Sequence, residues 1–383
     1  MNKKITITSL FIVIFLISLG ILLSKTLQSS YAISTTFADT VMNLASTSAC
    51  NAGGTGVCAT NSYTDTDGTT KYHDYRFRGA DPNNYVSFNN DIYRVIGVFD
   101  SNSHGVEGKY LVKLIRSRIL GNYSWGMYNT TNASGTYKGF ANDWTGNTTG
   151  VKANVNVLLN EFFYNKTDTS STYGSCSSWT YYNYYNGSGN YKTFSCSDII
   201  GHGIDSNLRD YIEEVTWYLK GYKSSNNIAD YSKQNFYLCE RGLSTDTTNC
   251  MSANSGAYDA STTSKIGLMY ASDYLYASSY FADTATTTSK SYYYGNKNWL
   301  YKGIEWTITP MTGVDDKTNA FFVSYNGFGY RKYAYAENYG GSFTQYSSDT
   351  CYGFGVRPTF YLKSNVNVTG GSGTFDDPYT LSM

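Results

Sequence analysis

The sequence predicts an α+β fold in which antiparallel strands accompany two helices, and three observations carry that reading. Tyr85-Val86-Ser87-Phe88 and Ile92 to Phe99 stand on either side of Asn89-Asn90-Asp91, the pattern of two strands around a tight turn. Val155, Leu158, Leu159, Phe162 and Phe163 recur at helical spacing. The last third returns to short apolar runs between polar loops, without the regular strand–helix alternation of a parallel sheet.

In chain order, the first expected element is a hydrophobic N-terminal helix. Lys3 and Lys4 precede an uncharged run from Ile5 to Ser24, Lys25 closes it, and Ser30-Tyr31-Ala32 follows as a cleavage site. Residues 1–32 read as a signal peptide or a signal anchor. A helix of that length, at about 1.5 Å per residue, reaches across a hydrocarbon core of roughly 30 Å, so cleavage after Ala32 and retention through residues 5–24 both stay open. Either way the remaining chain is exported, extracellular or at the cell surface. Residues 33–70 are rich in Thr, Ser, Ala and Gly and read as a flexible stalk, with regular structure starting near Tyr72. Residues 71–383 form the exported α+β domain, with a sub-boundary near 200–260.

Within that domain, Tyr85 to Phe88 and Ile92 to Phe99 are expected as paired strands. Lys109 to Arg116 makes a third, with Leu111, Lys113 and Ile115 facing opposite to Tyr110, Val112 and Leu114. The first helix covers NVNVLLNEFFYNK. The second, capped by Asp205 or Ser206, presents Leu208, Tyr211, Ile212, Val215 and Leu219 on one face. The stretch at 180–191 (TYYNYYNGSGNY) is a surface loop by composition. Strands are expected again at 266–270, 306–308, 321–325 and 356–362.

Lys3, Lys4 and Lys25 are the only charges before residue 33, which leaves 26 of the 29 basic residues against 29 acidic ones beyond it. That balance offers no electrostatic footprint for nucleic acid or an anionic membrane surface, so the membrane is reached through the N-terminal segment only. Charged residues are only 15% of the chain, and 40 Tyr stand against 19 Phe, so Ser, Thr, Asn and Gly supply the polarity. Such Tyr usage suits half-buried strands and recognition surfaces alike. Of the seven Cys, sequence-local pairing joins Cys50 to Cys58, Cys176 to Cys196 and Cys239 to Cys250, leaving Cys351. With no CxxC spacing and three His, no metal site or cofactor is expected.

Tyr325, Phe328, Tyr330, Arg331, Tyr333, Tyr335 and Tyr339 crowd into one stretch interleaved with Gly and Asn. Exposed, such rings stack on sugars or protein surfaces; packed at period two, as Tyr333 and Tyr335 are spaced, they fill a strand. Tyr325, Tyr330, Arg331, Tyr335 and Tyr339, with Trp306, are the expected ligand-binding set. Arg357 before Pro358 reads as a structural arginine buried against a carboxylate or backbone carbonyls at an edge or bulge, with Asp273 as one candidate partner. Cys196 with His202 has the look of a thiol and its base, but a disulfide to Cys176 is the stronger reading. Glu213 and Glu214 point in different directions on the second helix, and Asp65-Thr66-Asp67-Gly68 is a polar turn. No catalytic set emerges.

Three segments together resemble an uncharacterised exported surface-protein family of Gram-positive gut bacteria. They are YRFRGADPNNYVSFNNDIYRVIGVFD (75–100) with LVKLIRSRILGNYSW (111–125), KIGLMYASDYLYA (265–277), and WTITP (306–310) with GVRPTFYLKSNVNVTGGSGTFDDPYTL (355–381). The last segments are also similar to C-type-lectin-like domains, including the formylglycine-generating-enzyme type. There a Trp-bearing strand, a variable loop region and a closing Gly-x-Arg strand occur in the order of Trp306, residues 311–350 and Gly355-Val356-Arg357. The resemblance implies a C-terminal C-type-lectin-like module. It implies neither activity, because only Cys351 stands where a reactive Cys pair is needed and the EPN and WND tripeptides of calcium-dependent lectins are absent. The expected function is non-catalytic cell-surface recognition or adhesion, with glycan or protein as ligand. A minor pilin-like subunit and an extracellular hydrolase or oxidase are the rivals.

Overall fold

The hairpin at residues 85–99 turns on two asparagines. Asn89 and Asn90 both occupy left-handed backbone, with φ of 57° and 56°, which Asn tolerates and a two-residue hairpin loop requires. Phe88 therefore pairs with Asp91 and Tyr85 with Arg94.

The computed structural model describes residues 35–63, 73–123, 127–128, 137–138, 144–145, 152–176, 184–185, 191–192, 196–221, 233–245, 250, 261–280, 282, 297–311, 319–323, 336–337 and 354–383. The elements used below begin with α1 (Phe37–Met42), α2 (Thr47–Cys50), β1 (Gly56–Thr60), β2 (Asp74–Arg78), β3 (Tyr85–Phe88), β4 (Asp91–Phe99), α3 (Ser101–His104), β5 (Leu111–Arg116) and β6 (Gly121–Tyr123). Then come α4 (Asn154–Val157), α5 (Cys196–Gly201), β7 (Val215–Tyr218), α6 (Lys233–Arg241), β8 (Ser261–Ser264) and α7 (Ala271–Ala277). The chain continues with β9 (Glu305–Met311), β10 (Asn319–Val323), β11 (Ala336–Glu337), β12 (Phe354–Val356), β13 (Thr359–Tyr361), β14 (Asn367–Gly370) and β15 (Thr380–Ser382).

The result is a mixed α+β fold built mostly on antiparallel pairing. The larger sheet runs β1-β2-β4-β5-β13, with β3 following β2 along the same edge of β4. A second sheet runs β11-β10-β9-β12-β6, in which β9 and β12 are parallel. Every residue of β5 is buried, and so is β4 from Tyr93 onward, so the alternation expected for β5 separates two buried faces rather than core from solvent.

Residues 33–70 are not a stalk throughout. Thr36 and Asp39 cap α1 reciprocally, through Asp39 N to Thr36 Oγ1 at 3.1 Å and Thr36 N to Asp39 Oδ2 at 3.2 Å, and the helix buries Phe37, Ala38 and Val41. β1 then joins the larger sheet beside β2. Phe37 N also donates to the Val366 carbonyl at 2.7 Å, tying the segment to the C-terminal part of the chain. The hydrophobic run at residues 5–24 lies outside the described residues, and no helix among those described is long and apolar enough to cross a membrane.

The helix expected from Val155 to Phe163 forms, beginning as α4 and widening into a π-helix over Leu158–Phe163 with all five apolar positions buried. The second expected helix does not. Residues 206–211 make a single 3-10 stretch, and the chain then becomes β7. Asp205 does not cap, because its carboxylate is held by Lys166 at 2.5 Å, and Val215 and Trp217 are buried at period two against half-exposed Thr216 and Tyr218. β7 pairs with the Ser/Thr strand β8. Residues 266–270 are likewise not a strand: Gly267 alone bridges Thr359, and its Cα packs on the Trp217 indole, where a Cβ would stand 2.7 Å from the ring. The strand expected over 356–362 is split at Arg357-Pro358 into β12 and β13, which belong to different sheets.

Disulfides join Cys50 to Cys58, Cys176 to Cys196 and Cys239 to Cys250, with Cα separations of 4.9, 5.9 and 5.0 Å. Cys351 lies outside the described residues.

Candidate functional site

One residue organises the end of the second sheet. Glu305, the first residue of β9, pairs with Val323 of β10 on one side and Gly355 of β12 on the other. β10 runs toward this end and β12 starts from it, so the chain leaves at Val323 and returns at Phe354 across two strand spacings, roughly 10 Å. In between, Ala336–Glu337 adds a short strand to β10.

The rung is tied from within. Arg357 Nε donates to Glu305 Oε2 at 2.5 Å and Arg357 Nη2 to the Leu300 carbonyl at 2.6 Å, with Arg357 2% and Glu305 1% exposed. Burial pushes the Glu305 carboxyl up and the Arg357 guanidinium pulls it back only in part. The expected Arg357–Asp273 pair is therefore wrong: Glu305 is the partner. Pro358 follows as the crossover between sheets, where its carbonyl accepts from Arg116 N at 3.0 Å.

Trp306 is not available to a ligand. It is buried, its Nε1 donates to the Tyr123 carbonyl at 2.9 Å, and its ring lies against Phe354 at 4.6 Å. Tyr325, Tyr330, Arg331, Tyr335 and Tyr339 lie outside the described residues.

Asp273 anchors a different network. As the third residue of α7 it accepts the Tyr270 N–H at 2.9 Å, and it also receives Arg76 Nη1 at 3.1 Å and Lys113 Nζ at 2.6 Å. Arg76 reaches Asp74 at 2.8 Å, and Arg241 reaches Glu240 at 2.6 Å. These three acids and three bases are all at most 4% exposed. Phe99, Trp217, Tyr270 and Tyr361 surround Lys113, with ring centroids 4.5 to 5.6 Å from Nζ. Burial drives the Lys113 amine down to about 8 although Asp273 opposes it. Burial also works to raise Asp273, but Lys113, Arg76 and Arg241 outweigh it and hold the carboxyl below its usual range. Sealed among aromatic rings, this cluster ties β2, β5, α6 and α7 together. Sequence reading missed Asp74, Arg76, Lys113, Glu240 and Arg241. The available signal was charge at every second position of DYRFR, which puts Asp74, Arg76 and Arg78 on one fully buried face of the strand.

The thiol–base reading falls with the Cys176–Cys196 disulfide, and His202 faces Asp91 at 3.4 Å. Glu213 and Glu214 sit between the 3-10 stretch and β7, not on a helix. Among the described residues no cluster of three His, Cys, Asp or Glu is placed to hold a metal ion. Compared with protein-family models, curated proteins and solved structures, the chain matches none.

Proposed function

We propose that this chain is a non-catalytic recognition protein of the cell surface, exported through residues 1–32, whose C-terminal half is a C-type-lectin-like module presenting the aromatic segment 325–339 to glycan or protein ligands. The observation that carries the reading is the rung at Glu305. The segment departs and returns at one end of one sheet, on strands that flank the same residue and are locked by the buried Arg357–Glu305 pair. A long Tyr-, Gly- and Asn-rich stretch on a rigid base is how binding loops are commonly carried. Three disulfides are compatible with an extracellular setting.

The test is glycan-array binding of residues 35–383 beside a Tyr330→Ala/Tyr339→Ala variant. Saturable binding lost in the variant supports glycan recognition through this segment. No binding to any glycan removes the sugar and leaves a protein ligand as the reading to pursue.

A further inference from the structure

Where the chain crosses from β2 to β3, the loop at residues 79–84 leaves a notch in the edge of the larger sheet. The notch is a cleft of about 300 Å³ whose lining includes the apolar Val57 and Phe77, the Tyr379 ring, and the polar Asp81, Asn83 and Ser372. That volume falls at the small end of ligand clefts. Phe77 and Val57 are buried strand residues, so the wall is part of the sheet rather than a loose loop.

Asp81 is the unusual member. Its side chain is 67% exposed, yet its Oδ1 accepts both Arg94 Nη2 at 2.9 Å and the Tyr85 hydroxyl at 2.9 Å. Arg94 is itself 1% exposed, donates through Nε to Asn84 at 2.6 Å, and is sandwiched by the Tyr85 and Trp299 rings at 4.0 and 4.6 Å. An exposed carboxylate ordinarily rotates freely; this one is held in place by a buried guanidinium, which removes most of the ordering cost of using it. Arg94 also offsets its charge from behind, and Lys302 is a second cation close enough to feel both Asp81 and Arg94. A cationic ligand gains little here, whereas a neutral hydroxyl finds a fixed, strong acceptor. Tyr85 links Asp81 to Phe375, which stands 59% exposed, edge-on to the Tyr85 ring at 5.5 Å. A fixed acceptor, a neighbouring amide and an exposed aromatic ring are the complement of a molecule with hydroxyls on its edge and C–H groups on its face.

We propose that this notch is a saccharide-binding subsite, separate from segment 325–339, in which a neutral sugar donates hydroxyls to Asp81 beside Asn83 and an adjoining ring lies on Phe375. The experiment uses the full chain on an array of neutral and acidic glycans, followed by isothermal titration with the strongest neutral binder. Asp81→Asn, Phe375→Ala and Tyr330→Ala/Tyr339→Ala variants are run in parallel. The subsite predicts that a neutral glycan binds, that Asp81→Asn and Phe375→Ala each weaken it about tenfold, and that the double Tyr variant keeps this binding. Phe375 is exposed, so its variant folds normally and stays informative if Asp81→Asn disturbs Arg94. Absence of any neutral binder, or unchanged affinity in both the Asp81 and Phe375 variants, overturns the subsite. Binding abolished only by the double Tyr substitution overturns it while leaving the segment as the recognition site.

Discussion

Replacing Lys113 by Met tests whether a charge is truly buried in the aromatic cluster. In the folded chain the amine titrates at about 8, against an ordinary 10.5, because it is fully buried. Below pH 8 both states hold the proton, and the folded state bears the whole cost of burying it. Between pH 8 and 10.5 the unfolded chain still binds that proton while the folded chain has released it, so stability climbs with pH across this window. Integrating the shift, the cost falls by about 2 kcal/mol between pH 7 and 9.5. Two other sets of groups stay out of the way. His104, lowered to about 4 by burial, is neutral in both states above pH 7.5, and Tyr93, Tyr237, Tyr270 and Tyr361, all raised by burial, subtract stability only above pH 10. Lys302, also lowered by burial, moves in the same direction but is present in both proteins. Urea unfolding of wild type and Lys113→Met at pH 7, 8, 9 and 9.5 therefore gives a rise in the wild type that exceeds the variant's by about 2 kcal/mol. Parallel curves for the two proteins would refute the buried, depressed amine. The variant keeps Asp273 satisfied by Arg76 and the Tyr270 N–H, so it remains folded.

Three further outcomes follow from the same packing. Glu305→Gln strips Arg357 of its carboxylate partner among the described residues and is expected to lower stability by about 3–5 kcal/mol in urea unfolding, the penalty for an uncompensated buried charge. Cys176→Ala/Cys196→Ala opens a loop of sequence separation 20 and is expected to cost about 3 kcal/mol, with a correspondingly lower thermal midpoint. Gly267→Ala drives a methyl to 2.7 Å from the Trp217 ring and is expected to cost about 1–3 kcal/mol, read together with a change in Trp fluorescence.

What the sequence disclosed depended on whether the signal was local. The hairpin was legible because Asn89-Asn90-Asp91 stands between two apolar runs, although Asp91 already belongs to the second strand, and the helix at 154–163 because five large apolar side chains share one face. Residues 208–219 misled because Leu208, Tyr211, Ile212, Val215 and Leu219 fit a helical period, while the partner that makes β7 a strand is Ser261–Ser264, which carries no apolar pattern at all. Arg357 was legible as a buried arginine, since a lone cation in an apolar run must be paired. Its partner was not, because Glu305 is 52 positions away and nothing local distinguishes it from Asp273. Asp273 entered the reading only as a candidate partner for Arg357, whereas its two cations come from β2 and β5, which only the sheet order brings together. The aromatic crowding at 325–339 was legible as composition, and of that stretch only Ala336–Glu337 falls among the described residues, paired with β10.

The most direct test of the proposed display is to replace residues 325–352 with a Gly/Ser linker of about eight residues, long enough to cross two strand spacings. The account predicts that the linker protein keeps its three disulfides and its cooperative unfolding transition within about 1 kcal/mol of wild type, while ligand binding through this end of the sheet disappears. Loss of the folded frame, or binding that survives without the segment, would contradict it.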